Sequence, residues 1–302
     1  MGVDMKEVGG QAVIEGVMMR SEDDVALAVR SPEGNIIVKH EKISEKKKRS
    51  VFRLPILRGM YSLVQALVIG VKYLTISANI AATDPKEEEG ELTTAEITTT
   101  ILMAMSIGIF LFILLPQGIS KLIENFITTN PYYINLLEGI SRIIIFLGYV
   151  FSISRLDDIE KVFKYHGAEH KAIYAFESEE ELTVENAKRY PRLHPRCGTS
   201  FLMFVMVISM LVFSVIAVDT WYIKVLCKIL LMPVVAGISF EFIKMAGRNF
   251  ENPIIRTLVK PGLWLQYLTT REPEDEQLEV AIAALKEAIG EGIYQDTCED
   301  EG

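Results

Sequence analysis

The hydrophobic and polar positions of this chain fall into three regimes. Within residues 8–39, two β-branched runs, 25–30 and 36–39, flank Ser31-Pro32-Glu33-Gly34-Asn35, the pattern of a β-hairpin in a small sheet. The pairs Gly9-Gly10 and Glu15-Gly16 mark tight backbone, either as turns between short strands or as a stretch presenting Gln11 and Glu15 to a functional cleft. Residues 56–82 are mostly apolar, but Arg58, Ser62, Gln65 and Lys72 recur at helical spacing. That predicts an amphipathic helix lying in the membrane interface, or packed over the membrane core, rather than a span. Four stronger membrane candidates follow at 97–115, 132–153, 201–218 and 221–245, each near the roughly 20 residues a span requires. In the third regime, 254–268 reads as an amphipathic helix returning to the surface. Residues 276–289 carry apolar Leu278, Val280, Ala281, Ala284, Leu285 and Ala288 and predict a soluble helix, with Glu274 and Asp275 at its positive end.

The pattern predicts an all-α polytopic membrane protein with about four transmembrane helices. A small N-terminal β element and amphipathic or soluble helices accompany them. The expected divisions are 1–55, the cytoplasmic β element and basic linker, and 56–96, the interfacial helix and acidic linker. A four-helix transmembrane domain at 97–250, with a cytoplasmic metal-binding loop at 155–197, precedes a cytoplasmic helical tail at 251–302.

Composition agrees: 50% of the 302 residues are hydrophobic and the mean hydropathy is +0.26, more apolar than a typical soluble domain. Charge adds orientation. The net charge of −9 hides acidic crowding at 84–91 and from Glu272 onward, and basic clusters at 39–58 and 155–196. Lys46, Lys47, Lys48, Arg49 and Arg53 form a juxtamembrane run that anionic lipid attracts. The 155–196 segment holds eight basic residues, whereas 116–131 holds Lys121 alone and 217–223 none. The positive-inside rule therefore makes that segment cytoplasmic, and an even number of spans puts both termini there too. Trp221 and Tyr222 read as an interfacial belt at the other side. No basic face with stacking aromatics appears, so nucleic acid is excluded as a partner. Cys197, Cys227 and Cys298 are odd in number and far apart, which suits a reduced compartment rather than a disulfide framework. The polar, glycine-rich residues 1–10 predict no cleavable secretory signal.

The chemistry is concentrated between Tyr165 and Cys197, which hold three of the four histidines. On a helix, His166-Gly167-Ala168-Glu169-His170 puts two imidazoles on one face, one turn apart, with a carboxylate beside them. Such an HxxEH pattern presents two neutral nitrogens to one cation and leaves Glu169 free to handle a water bound to it. Then His194-Pro195-Arg196-Cys197 offers another nitrogen and a soft sulfur three positions apart. Zinc is the default cation for such donors, with iron, cobalt and manganese as alternatives. Glu241 in the last apolar segment is an ionisable group at membrane depth, a candidate third ligand or proton relay, or else an ion-pair partner of Lys244 or Arg142. Four protein ligands, His166, His170, His194 and Cys197, would make a closed structural site. Three plus water, with Glu169 as base, would make an open catalytic one.

Three motifs together carry a family resemblance: Gly9-Gly10-Gln11-Ala12-Val13-Ile14-Glu15-Gly16-Val17-Met18-Met19-Arg20, Tyr165-His166-Gly167-Ala168-Glu169-His170-Lys171 and His194-Pro195-Arg196-Cys197-Gly198-Thr199-Ser200-Phe201. The chain resembles the YqhQ-like family of bacterial membrane proteins of unknown function from about Val8 to Ile289. That resemblance implies a bacterial plasma-membrane location and a metal-dependent enzyme built on His166, Glu169, His170, His194 and Cys197. It names no substrate.

The expected function is metal-dependent hydrolysis at the cytoplasmic membrane face. In it Glu169 deprotonates water, and Arg196 or Lys171 stabilises developing negative charge. The expected partners are the lipid bilayer, an anionic lipid-linked or membrane-protein substrate, and a second copy of the chain. The competing class is a scaffold whose metal pins the central segment to the spans. Transport would need more polar residues in the spans than Glu138, Arg142 and Glu241.

Overall fold

The computed structural model describes residues 8–21, 24–42, 55–82, 94–216, 218, 220–250 and 252–292. The basic run from Lys46 to Arg53, the acidic stretch 84–91 and Cys298 lie outside the described residues, as do the side chains of Trp221 and Tyr222.

Four antiparallel strands form a meander in chain order: β1 (Val8–Val13), β2 (Gly16–Ser21), β3 (Asp24–Arg30) and β4 (Ile36–Lys42). The expected hairpin is β3–β4, closed by Ser31 N–H donating to the Asn35 carbonyl at 2.8 Å, with Gly34 at φ +90°. Glu15, at φ +50°, turns the chain between β1 and β2. Gly9 and Gly10, by contrast, lie inside β1 rather than in a turn.

Both faces of the sheet are covered, which explains why β2 and β3 are almost continuously buried instead of alternating. Val13, Met18, Val25, Leu27 and Val29 face helix α1 (Pro55–Ala82), where they meet Tyr73, Ile69 and Ile76. On the other face Val17, Met19, Ala26 and Ala28 pack against α5 (Asp157–Glu177) and α10 (Asp275–Ile289), through Ala168, Ala172, Leu278, Ala281 and Leu285. The C-terminal helix is thus part of the sheet layer. Glu274 and Gln277 form a reciprocal capping box at its start, and Gly290 at φ +84° ends it.

The chain is mostly helical, and among the described residues four helices are long and apolar enough to cross a membrane: Arg58–Ala82, Thr98–Phe126, Pro131–Ile153 and Ile223–Gly247. The number matches the sequence reading, but one member differs. The stretch expected to cross at 201–218 is α7 (Gly198–Ser214), only 17 residues and about 25 Å long. The helix expected to lie in the interface, α1, qualifies as a span by length and composition. It has two characters: one face covers the sheet, while Val64, Leu67 and Val68 on the other are more than 60% exposed.

The first apolar stretch also runs further than expected, because Pro116 does not end it. Helix α2 (Thr94–Ile109) passes through a π-helical turn, Phe110–Leu114, into α3 (Leu115–Phe126). Leu115 N–H reaches back to the Phe110 carbonyl, and this wider turn accommodates a residue that lacks an N–H and crowds the preceding turn. Helices α4 (Pro131–Ile153), α7 and α8 (Trp221–Arg248) complete the bundle, with α9 (Pro253–Thr269) lying on α7. A short α6 (Val184–Lys188) lies between α5 and α7.

Helix α5 joins the sheet layer to the bundle, and Gly167 sets how closely the chain after α9 can approach it. Arg271 N–H donates to the Phe163 carbonyl at 2.8 Å, and a Cβ on Gly167 would sit 2.1 Å from the Arg271 carbonyl oxygen. The Gly167→Ala variant is expected to lose about 1–3 kcal/mol by overpacking, read as a lower Tm in detergent. Gly148→Ala in α4 is the control: nothing lies within 4 Å of its added Cβ, so it should melt no lower than the parent.

Candidate metal centre

Burial along α5 is continuous from Tyr165 to Ile173, because its two sides meet different layers. His166 and His170, one turn apart, face the N-terminal end of α7 and the C-terminal end of α9. Their donor atoms and the Cys197 sulfur all lie within 4.8 Å of one another. An ideal tetrahedral site separates such donors by roughly 3.3–3.8 Å, so small side-chain adjustments suffice to bring them round one ion.

The tautomers are set by the surroundings. His166 Nδ1 lies 2.8 Å from the Thr269 carbonyl and His170 Nδ1 lies 2.5 Å from the Arg192 carbonyl. A carbonyl can only accept, so both Nδ1 atoms carry the proton and both Nε2 atoms present bare lone pairs. His166 Nε2 is 3.1 Å from Cys197 Sγ, and the buried His170 Nε2 has no hydrogen-bond partner. An orphaned lone pair beside a second one and a thiol is what a cation would complete, so these residues fit a zinc-type ion. Cys197 caps the N-terminus of α7, with Thr199 Oγ1 3.1 Å from its sulfur. Burial pushes its thiol up, but the His170 imidazole and the Thr199 hydroxyl and amide outweigh that and hold it below the usual thiol range. Burial also lowers His170, which favours the neutral, ligating form.

Glu169 points to the sheet side of α5. Burial raises its carboxyl to about 8; the His166 imidazole opposes the rise, Cys197 adds to it, and hydrogen bonds from the Ala12 and Gly10 amides restrain it. Those amides belong to β1, an edge strand, so the carboxyl caps part of a free sheet edge. Gly10 is required there, since a Cβ on it would lie 2.8 Å from Glu169 Cγ. Gln11 turns to the opposite face and rests on Gly70 of α1. Glu15 meets α5, through Lys161 at 3.1 Å and the Tyr165 hydroxyl at 3.3 Å.

The remaining candidates are placed otherwise. His194 is buried, but its Nδ1 accepts from the Arg196 amide at 3.4 Å and its Nε2 faces Glu177 Oε2 at 3.6 Å. Burial lowers it to about 4, so it is neutral at physiological pH. Glu241 pairs with neither Lys244 nor Arg142: Arg58 of α1 holds both its oxygens, at 2.6 and 2.8 Å. Lys171 pairs with Glu272 and Arg196 with Glu177. Sequence reasoning missed Gln266 of α9. Its fully buried amide accepts from the His194 N–H at 2.8 Å and donates to the His194 carbonyl at 2.7 Å and to Ser200 Oγ at 2.8 Å, fixing the loop that delivers Cys197. A glutamine in an otherwise apolar stretch was the available signal.

Comparison with known proteins adds a family but no activity. Residues 54–291 match the family described as a protein of unknown function (DUF1385). The uncharacterized protein YqhQ of Bacillus subtilis (strain 168) is 35% identical over 292 residues, covering 93% of this chain and 92% of that one. No solved structure matches. The metal-dependent enzyme implied by the resemblance therefore has no support from the relatives. The residues that matched by motif do sit in a chain that belongs to this family of uncharacterised YqhQ-like proteins.

Proposed function

We propose that the chain is a metal-dependent hydrolase of the bacterial plasma membrane. Its centre would be held by His166, His170 and Cys197 at the cytoplasmic face, where the basic 155–196 segment lies. The convergence of two Nε2 lone pairs and one sulfur, each imidazole locked by a backbone carbonyl, carries this reading. Three protein donors leave a fourth position open, as catalytic sites of this kind do. A zinc-type cation bound there would lower the pKa of a water and polarise a substrate oxygen.

Glu169 supplies the proton handling. In its ionised form the carboxyl, which lies close enough to His166 and Cys197 to feel their charge, would take a proton when water attacks and return it to the leaving group. The β1 amides hold it in one orientation meanwhile. His194 and Glu241 serve as braces in this reading, because each has another partner. Lys171 and Arg196 are engaged by carboxylates and are assigned no role on the substrate. The substrate class is a membrane-protein peptide bond or a lipid-linked ester. The competing scaffold reading draws on one observation, the burial of all three donors where α5, α7 and α9 meet.

Purified protein is expected to carry stoichiometric metal, and His166→Ala, His170→Ala or Cys197→Ser to lose it with at least about a tenfold drop in affinity. Elemental analysis under non-chelating conditions checks this, and a metal-free parent would sink the proposal. Glu169→Gln should keep the metal and lower hydrolysis of ester and peptide probes in proteoliposomes by about 10²–10⁴-fold. Unchanged turnover in Glu169→Gln, or none in the metal-loaded parent, would leave the scaffold.

A further inference from the structure

A second polar site lies at the other end of the bundle. Glu138 of α4 is only 2% exposed, and three cations converge on it: Lys228 at 2.5 Å, Arg142 at 2.9 Å and Lys224 at 3.8 Å. It is 15 residues before the end of α4, which puts it about 22 Å along the helix from the side that carries the metal centre. Beside it is a cavity of about 180 Å³ between α3, α4 and α8. Lys224, Lys228, Glu138 and Ser120 line it, together with Lys121 and Glu124, whose charges cancel.

The charge count is unbalanced: three positive groups share one carboxylate, a surplus of two. Charges inside a membrane bundle are costly unless paired, and the same cavity is bordered by the first turns of α4 and α8, whose helix dipoles add positive potential. Arg142 Nε, a donor on the guanidinium that pairs with Glu138, is moreover buried without a hydrogen-bond partner. We infer that this cavity binds a phosphate-type anion, the headgroup of a phospholipid with net negative charge. A lipid source fits the surroundings. Leu122 and Phe126 of α3 and Leu226, Ile229 and Leu230 of α8 are more than half exposed beside the cavity, an apolar wall for acyl chains. Tyr132 and Tyr133, exposed at the start of α4, sit where headgroup-level aromatics are found.

The test is thermal melting of the full-length protein in detergent, titrated with phosphatidic acid, phosphatidylcholine or inorganic phosphate. Phosphatidic acid should raise Tm with concentration, and Lys224→Gln should weaken the apparent affinity about five- to tenfold. That variant leaves Glu138 its two closer partners, so folding is preserved. Glu138→Gln should lower the basal Tm yet enlarge the lipid-induced shift, because it removes the resident competing charge. A Lys224-dependent shift with inorganic phosphate alone supports the anion site and assigns it to free phosphate. No shift, an equal shift with phosphatidylcholine, or shifts unaltered in Lys224→Gln and Glu138→Gln would overturn the inference and leave a purely structural ion cluster. Metal content should not change in these variants, so this outcome is separable from that of the hydrolase reading.

Discussion

One turn of α5 makes contacts in two directions, and the rest of the structure depends on both being made at once. His166 and His170 lean toward Cys197 and the end of α9, while Glu169 leans toward the edge of β1. Burying ionisable groups in this number is unfavourable by several kcal/mol apiece unless each finds a partner. The chain meets that requirement mainly with backbone: the Thr269 and Arg192 carbonyls, the Gly10 and Ala12 amides, and the loop that Gln266 holds. Backbone partners are available only when sheet, α5 and bundle are mutually in place. Folding of the sheet layer and assembly of the donor set are therefore coupled, and a cation bound to the donors would stabilise the whole junction.

Much of this was legible in the sequence for a simple reason: it is local. The HxxEH spacing fixes which side of a helix His166 and His170 share, and the β-branched runs and turn residues of 25–39 fix the β3–β4 hairpin. What was not legible is set by tertiary contacts. Gly10 looks like a turn residue until Glu169 is found packed against it. His194 and Cys197, three apart, look like a ligand pair, yet Gln266 and Glu177 engage His194 while the Cys197 sulfur faces His166. Pro116 looks like a stop, and the π turn ahead of it lets the helix go on. Glu241 read as a ligand at membrane depth, and its partner came from a helix, α1, that sequence placed outside the spans.

The same distinction explains α1. A mean apolar character with periodic polar residues suits an interfacial helix. The structure uses both properties: Ile69, Tyr73 and Ile76 cover the sheet, and Val64, Leu67 and Val68 remain for lipid. Whether such a helix crosses or lies along a bilayer is decided by what its outer face meets, a quantity that hydropathy averages away.

The π turn at Phe110–Leu114 has a consequence beyond letting the chain pass Pro116. A π turn takes up about one residue more than an α turn, so each later side chain sits roughly 100° behind where an uninterrupted α-helix would carry it. With that offset in place Gln117, Ser120, Lys121 and Glu124 line the cavity between α3, α4 and α8, and Leu122 and Phe126 are exposed. Closing the turn to α geometry with the same residues would keep the helix and lose that alignment, whereas removing one residue with the turn would preserve it. The wider turn acts as a phase setting, through which the geometry of a single turn in the upper bundle decides which chemistry faces inward.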